Sequence, residues 1–349
     1  MHFITETPML EMWNQIRYLK SPMNVENLLS GKIQSNREQI HYNPIEIPKR
    51  SYEIASCIKQ ADEYYKAAET VGLTTQPLLQ FYGAQSLAKA VILANSDKRL
   101  SDLQYHGLAT RAKSAKDLNL RIAIQDYRND PNKWKVEDEY AITNDGVFPE
   151  LCKALGETNF PQKGTLIKFK GLISIIPDLS QIYSRHYNEI PHSFRIYRGP
   201  KINSKKQLEI YFWANVNDVL SVFPEFADFD TTKMDRHYDG LVSHDEMDSL
   251  SFGAFETDVI GNYRYLIRPL ESGVKKSLIV LFSGLFILSN IVRYKPAFWM
   301  AEIEGKKSGS ASIVEAFCNL AKRKLPHNAL ESIWNEQFRF DNGALFIGP

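Results

Sequence analysis

The sequence predicts an α+β protein that is mostly helical, with a helical core built from the two chain ends and a strand-containing middle. Three observations predict it. Leu78–Leu93 and Ser277–Val292 are long apolar runs with small residues at mid-span (Gly83 and Ala84, Ser283 and Gly284), too greasy on most sides for surface helices. Ser51–Thr70 carries Ile54, Ile58, Ala61 and Tyr65 at helical spacing, with Lys59, Asp62 and Glu63 among them. Between these helical ends, HSFRIYRGP, QLEIYFWANV and NYRYLIRPL cluster β-formers. The expected organisation is a helical arm over 1–50, a helical core over 51–116 and 275–349, and an α+β insert over 117–274.

In order, residues 8–30 read as one or two short helices anchored by Trp13, Ile16 and Tyr18. After the polar stretch SNREQIHYNPIEIPKR comes the amphipathic helix, with Gly72 as its expected C-cap. Thr74 or Thr75 then suits an N-cap, and Pro77 sits in the first turn of the next helix, where its missing N–H costs nothing. Asn95–Asp102 is a polar turn. LNLRIAIQ and YAITNDGVF read as strands, with Asn144, Asp145 and Gly146 as a turn, and PELCKALGE as a short helix ending at Gly156. GTLIKFKGLISIIPDLSQIYSRHY reads as helix interrupted by Pro177. Residues 224–262, rich in Asp and Gly, read as an acidic surface excursion. From Lys275 the chain is helical again, with a break expected at Pro326. The two apolar helices are expected to pack on each other through their small residues.

Composition narrows the function classes. The 349 residues are 44% hydrophobic and 12% aromatic, enough to bury a substantial core. A net charge of +1 argues against a global basic field but permits a local one. Cys57, Cys152 and Cys318 are far apart and form no CxxC pair, which fits buried thiols in a reduced, cytoplasmic setting. The first residues do not read as a secretory leader. The run Ser277–Val292 falls short of the ~18–20 residues that cross a bilayer, so a buried helix and no membrane partner are expected. No GxGxxG, P-loop or GxSxG motif is present, which disfavours nucleotide hydrolysis and α/β-hydrolase chemistry. His237, Asp239, His244, Asp245, Glu246 and Asp248 crowd one acidic stretch, but their spacing matches neither HExxH nor an EF-hand, and neither a metal nor another cofactor is expected.

The blocks QPLLQFYGAQSLAKAVIL, YHGLATR, ITNDGVF, GLISIIPDL and LFILSNIVRYKPAFWMAEI, in that order, resemble the YaaC-like family of bacterial proteins. The resemblance covers roughly residues 50–180 and 275–335 and implies a fold class more than an activity. A looser likeness is to HEPN-type helical domains, in which an FYxA-type helix precedes a short Arg-to-His motif. Arg99 and His106 fit that motif. The likeness implies a metal-independent endoribonuclease of toxin or phage-defence type, acting as a homodimer on RNA. Arg99 would contact phosphate and His106 would move the proton, roles suited to a guanidinium and to an imidazole titrating near neutrality. Arg185 and His192 share the spacing, and His106 equally suits a local hydrogen bond beside Gly107. The alternative is a non-catalytic α+β interaction protein that binds a partner protein through its helical core. Lys168, Lys170, Arg195 and Arg198, interleaved with Tyr183, Tyr187 and Tyr197, are the candidate nucleic-acid contacts. Arg293, ahead of Tyr294 and Lys295, joins them; a basic residue there also complements a helix C-terminus.

Overall fold

A computed structural model of the chain describes residues 1–34, 43–116, 119, 121–122, 124, 135–203, 206–233, 239–246, 253–258, 263–306 and 309–341. For Ala112, Arg198, Gly199, Pro200, His244, Asp245, Glu246 and Asp341 only the backbone is described. The chain forms two compact units, one from residues 1–169 and 278–349, the other from 170–277. It is an α+β fold. The strand-bearing stretch over 140–169, placed in the insert from sequence, goes with the helices.

The first unit is built on helices α1 (Pro8–Tyr18), α2 (Pro22–Gln34), α3 (Ile47–Glu69) and α4 (Gln76–Asn95). Gly72 is not the C-cap of α3, whose cap is Thr70. Its carbonyl instead accepts from the N–H groups of Thr75 and Gln76 and so starts α4. Gly83 gives α3 its close approach to α4, since a Cβ there would stand 2.7 Å from the Tyr65 ring. The buried Arg50 donates to the carbonyls of Leu93, Ser96, Asp97 and Lys98, at 2.8 to 3.2 Å, and thereby satisfies the end of α4. Asp62, buried on α3, receives hydrogen bonds from Arg17, Lys20 and Lys66 and ties α1 to α3.

A small antiparallel sheet follows in the order β2 (His106–Ala109), β3 (Tyr140–Gly146), β4 (Leu166–Lys168), with α5 (Val147–Ala154) leaving β3 directly. Asn144–Gly146 is therefore the end of a strand, and LIK is a strand although the sequence pattern read as helix. The described residues of 118–125 (Asn119, Arg121, Ile122 and Ile124) are helical rather than extended. The strand β1 (His2–Ile4) pairs in parallel with β11 (Arg339–Asp341).

The unit is completed by α9 (Ser277–Tyr294), α10 (Pro296–Ile303) and α11 (Ala311–Trp334). At 18 residues with mean hydropathy 1.7, α9 is long and apolar enough to cross a membrane, longer than the run seen in sequence, yet 72% of it is buried in the protein. Its apolar surface is spent on the core. It meets α4 through Phe81, whose ring centroid lies 5.7 Å from Phe282 and 5.5 Å from Phe286. The small residues serve other neighbours, because a Cβ on Gly284 would stand 2.3 Å from Phe317 on α11. Pro326 lies inside α11 without ending it. Buried Phe317, Leu320 and Leu325 before it, and Leu330 and Ile333 after it, hold both halves in the core.

In the second unit α6 (Phe169–Ser174) and α7 (Ser180–Tyr187) lead into an antiparallel six-stranded sheet, order β7-β8-β6-β5-β10-β9. Its strands are β5 (Ser193–Ile202), β6 (Gln207–Phe212), β7 (Asp230–Lys233), β8 (Asp239–Glu246), β9 (Ala254–Thr257) and β10 (Arg264–Ile267). One face packs Phe194, Ile196, Ile210, Phe212, Leu241 and Leu266 against Val219 of α8 (Val216–Val222) and against Phe223 and Phe226. The stretch 224–262 is thus no excursion but supplies three strands. Its polar residues alternate with few apolar ones, so the period-2 signal was thin.

Candidate functional site

The β2–β3 junction aims His106. Gly107 has φ +77°, and a Cβ there would stand 2.5 Å from the Phe148 nitrogen; Gly146 has φ +133°, and a Cβ there would stand 2.5 Å from the Tyr105 carbonyl. Both positions need glycine, and between them the ladder shifts register, with His106 opposite Gly146. The Val147 N–H donates to the Tyr105 carbonyl at 2.9 Å, which locks the junction. His106 then leans on Phe81 (5.3 Å, edge-on) and Phe286 (6.1 Å), with its Nδ1 buried and without a hydrogen-bond partner among the described residues.

Beside it opens a cavity of about 460 Å³, lined by His106 and Arg111 from the β2 segment, Glu139 and Tyr140 at β3, and Asn290, Arg293, Tyr294 and Lys295 from the end of α9. That is a volume in the range of small-ligand sites. Its charges are unequal. Lys295 is paired with the buried Glu139 at 2.5 Å. Arg111 is exposed and has no carboxylate against it among the described residues. Among the described residues, the half-buried Arg293 reaches the Ser289 carbonyl (3.2 Å), the Ser289 hydroxyl (3.5 Å) and the Tyr82 hydroxyl (3.4 Å), and no carboxylate. Its guanidinium also lies 5.2 Å from the Tyr294 ring centroid and 5.9 Å from that of Tyr82.

A partly desolvated guanidinium with no counter-ion among the described residues has the chemistry to receive an anion, and its planar fork suits phosphate or carboxylate. Burial, then the positive charges of Arg293 and Lys89, hold the His106 pKa below the ordinary histidine value. That shift favours the neutral imidazole, the form able to accept a proton.

The sequence pattern of the YaaC-like protein family matches residues 17–333. The chain belongs to the YaaC-like family. Comparison with curated proteins and with solved structures gives no match. In this YaaC-like chain the matched span includes the sheet of the second unit, which contributed little to the resemblance seen in the motifs.

Of the residues singled out from sequence, the fold of this YaaC-like protein brings His106 and Arg293 together in one cavity. Arg99 is elsewhere. It precedes a short 3-10 turn, takes its backbone N–H to Asp102, pairs with Glu46, and lines a separate small depression with Lys49, Arg50 and Glu53. The likeness to an Arg-to-His motif thus has no geometric counterpart in the described cavity. Lys168 is exposed at the end of β4. Lys170 pairs with Glu189 at 2.7 Å and sits over the Tyr187 ring. Arg195 lies between the Trp213 and Tyr263 rings, 4.4 and 3.3 Å from their centroids. Arg198 stands opposite Tyr211 on the β5–β6 ladder, and its side chain lies outside the described residues. In the acidic stretch, His237 and Asp248 lie outside the described residues as well, as do the side chains of His244, Asp245 and Glu246. Asp239 accepts from the Val216 N–H at 3.2 Å.

Sequence reasoning passed over Arg111, Glu139 and the part Lys295 plays. Arg111 closes the YHGLATR block that holds His106 as its second residue, and that proximity was the available signal. Glu139 carries no motif, and its pairing is visible only in three dimensions.

Proposed function

We propose that the cavity binds a phosphodiester of RNA and that this YaaC-like protein is a metal-independent endoribonuclease, of the toxin or phage-defence kind. The observation that carries the reading is Arg293, half-buried and without a counter-ion among the described residues, in the same cavity as a histidine whose pKa is held below the ordinary value. Arg293 with Arg111 would hold the phosphate and meet the negative charge that grows on it, since neither has a carboxylate against it among the described residues. His106 would take the 2′-hydroxyl proton as the 2′-oxygen attacks phosphorus. The P–O5′ bond then breaks, and the imidazolium returns the proton to the departing 5′-oxygen. The products are a 2′,3′-cyclic phosphate and a free 5′-hydroxyl. In this reading Arg293 takes the role that the motif likeness gave to Arg99.

The test is incubation of purified protein with total RNA in EDTA, with analysis of the fragment ends. Wild type should cut and leave cyclic phosphates. His106→Ala should lower the rate by about 100- to 10,000-fold, the usual size of a general acid–base contribution. Arg293→Ala should impair cleavage, and Arg99→Ala should leave it unchanged. Equal cleavage by wild type and His106→Ala would place the activity outside this cavity. If wild type retains RNA but does not cut it, the cavity is a binding site only, and the chain is an interaction protein.

A further inference from the structure

We infer that Tyr294 is the stacking surface for a nucleobase and that the site takes an unpaired nucleotide of single-stranded RNA. The inference rests on the phosphodiester reading of the same cavity and adds to it what lies beside the phosphate. Tyr294 ends α9 and lines the cavity, yet its side chain is 70% exposed. An aromatic ring that large gains nothing from the core in that position. What it does touch is the Arg293 guanidinium, 5.2 Å from its centroid.

A phosphate held by Arg293 therefore has an open ring within the span of one ribose. One region of that ring faces the cation and the rest faces solvent, which is the arrangement in which single strands are held: charge for phosphate and a ring for the base. A base inside a duplex has both faces covered by its neighbours and cannot reach the ring. Tyr105 is the contrast. It is 73% exposed and is the residue immediately before His106, but it does not line the cavity.

The experiment uses the full chain and a short 2′-O-methyl RNA, which cannot be cleaved through its 2′-oxygen, carrying one 2-aminopurine. Binding and fluorescence quenching by stacking are read together, for the single strand and for its duplex. Wild type should bind the single strand, quench the probe and bind the duplex more weakly. Tyr294→Ala should lose the quenching and weaken binding by about 5- to 150-fold, the effect of one base–ring stack. Tyr294→Phe should keep both, and Tyr105→Ala should resemble wild type. Unchanged melting temperatures establish that the variants fold.

Quenching retained in Tyr294→Ala, or equal binding of the duplex, overturns the inference. So does a wild type that leaves the single strand unbound, in which case the ring serves a partner of another class, such as a protein. Because no cleavage is needed, a protein that binds and quenches in this way but cuts no RNA would sink the ribonuclease reading and leave Tyr294 in its role.

Discussion

Arg293 bears on the protonation of His106. The guanidinium is one of the causes that keep the His106 pKa below the ordinary value, after burial. Arg293→Gln should therefore raise that pKa, read from the imidazole proton shifts in an NMR titration, and a pKa that stays put would remove Arg293 from its causes and leave burial and Lys89. Since the base must be neutral, the acid limb of a cleavage profile should lie below pH ~6.5 in the wild type and move toward it in the variant. A second prediction concerns Asp62. Burial pushes this carboxyl up, but hydrogen bonds from Lys20, Lys66 and Arg17 prevail and set the pKa at about 2. The folded value lies below the unfolded one, so the stabilisation is complete above the unfolded pKa of about 4 and is lost as pH falls toward 2. Asp62→Asn should cost about 1–3 kcal/mol at pH 7 by denaturant titration, and the difference from wild type should shrink in acid. An equal difference at pH 7 and pH 2.5 would remove Asp62 from the acid response. Both site residues, His106 and Arg293, were legible in the sequence as types that suit phosphate chemistry. Their meeting was not, because nothing local to YHGLATR or to SNIVRYKP says that the end of α9 returns to β2.

At the scale of elements, close approach is set by glycines whose partners no sequence pattern names. Gly284→Ala would put a Cβ 2.3 Å from the tip of the Phe317 ring, a clash that the ring can relieve by moving. A loss of about 1–3 kcal/mol is expected, measured by thermal or chemical unfolding, as for other overpacked cores. Gly107→Ala meets the Phe148 backbone at 2.5 Å and also needs a positive φ, so neither escape is open. It should be the more damaging change, and it should displace His106 and lower RNA binding even in protein that still folds. A Gly107→Ala variant as stable as Gly284→Ala would contradict the strained junction. The helices were legible because α3 carries apolar residues at helical spacing and α4 and α9 are long, nearly unbroken apolar runs. The short strands were not. Leu166–Lys168 sits in an apolar run that reads equally as helix, and the β8 and β9 residues are polar enough to pass for loop, so it is cross-strand pairing that makes them strands. Pro326 was misread because burial on both sides of it outweighs one missing hydrogen bond.

At the scale of the molecule, residues 170–277 interrupt a helical unit whose own chain resumes at 278. The family pattern runs through both, from 17 to 333, so the interruption belongs to the YaaC-like chain as such. The 170–277 unit has what independent folding requires. Its sheet is fully antiparallel, with each strand paired inside the unit, and its core of Phe194, Phe212, Phe223, Phe226 and Leu266 is drawn from its own residues. Excised as a polypeptide, it should therefore fold alone and melt cooperatively. The full chain should then show two unfolding transitions by calorimetry, one of them matching the excised unit. The complementary chain, with 169 joined to 278 by a short flexible linker, should retain the His106–Arg293 cavity and, on the proposed function, should bind RNA as the full chain does, because all of the lining residues lie in the helical unit. If the excised segment is unfolded and the intact protein melts in one step, the two units are a single cooperative body. Loss of RNA binding in a linked helical unit that still folds would instead mean that the second unit contributes to recognition, and Arg195, held between Trp213 and Tyr263, would be the first residue to change.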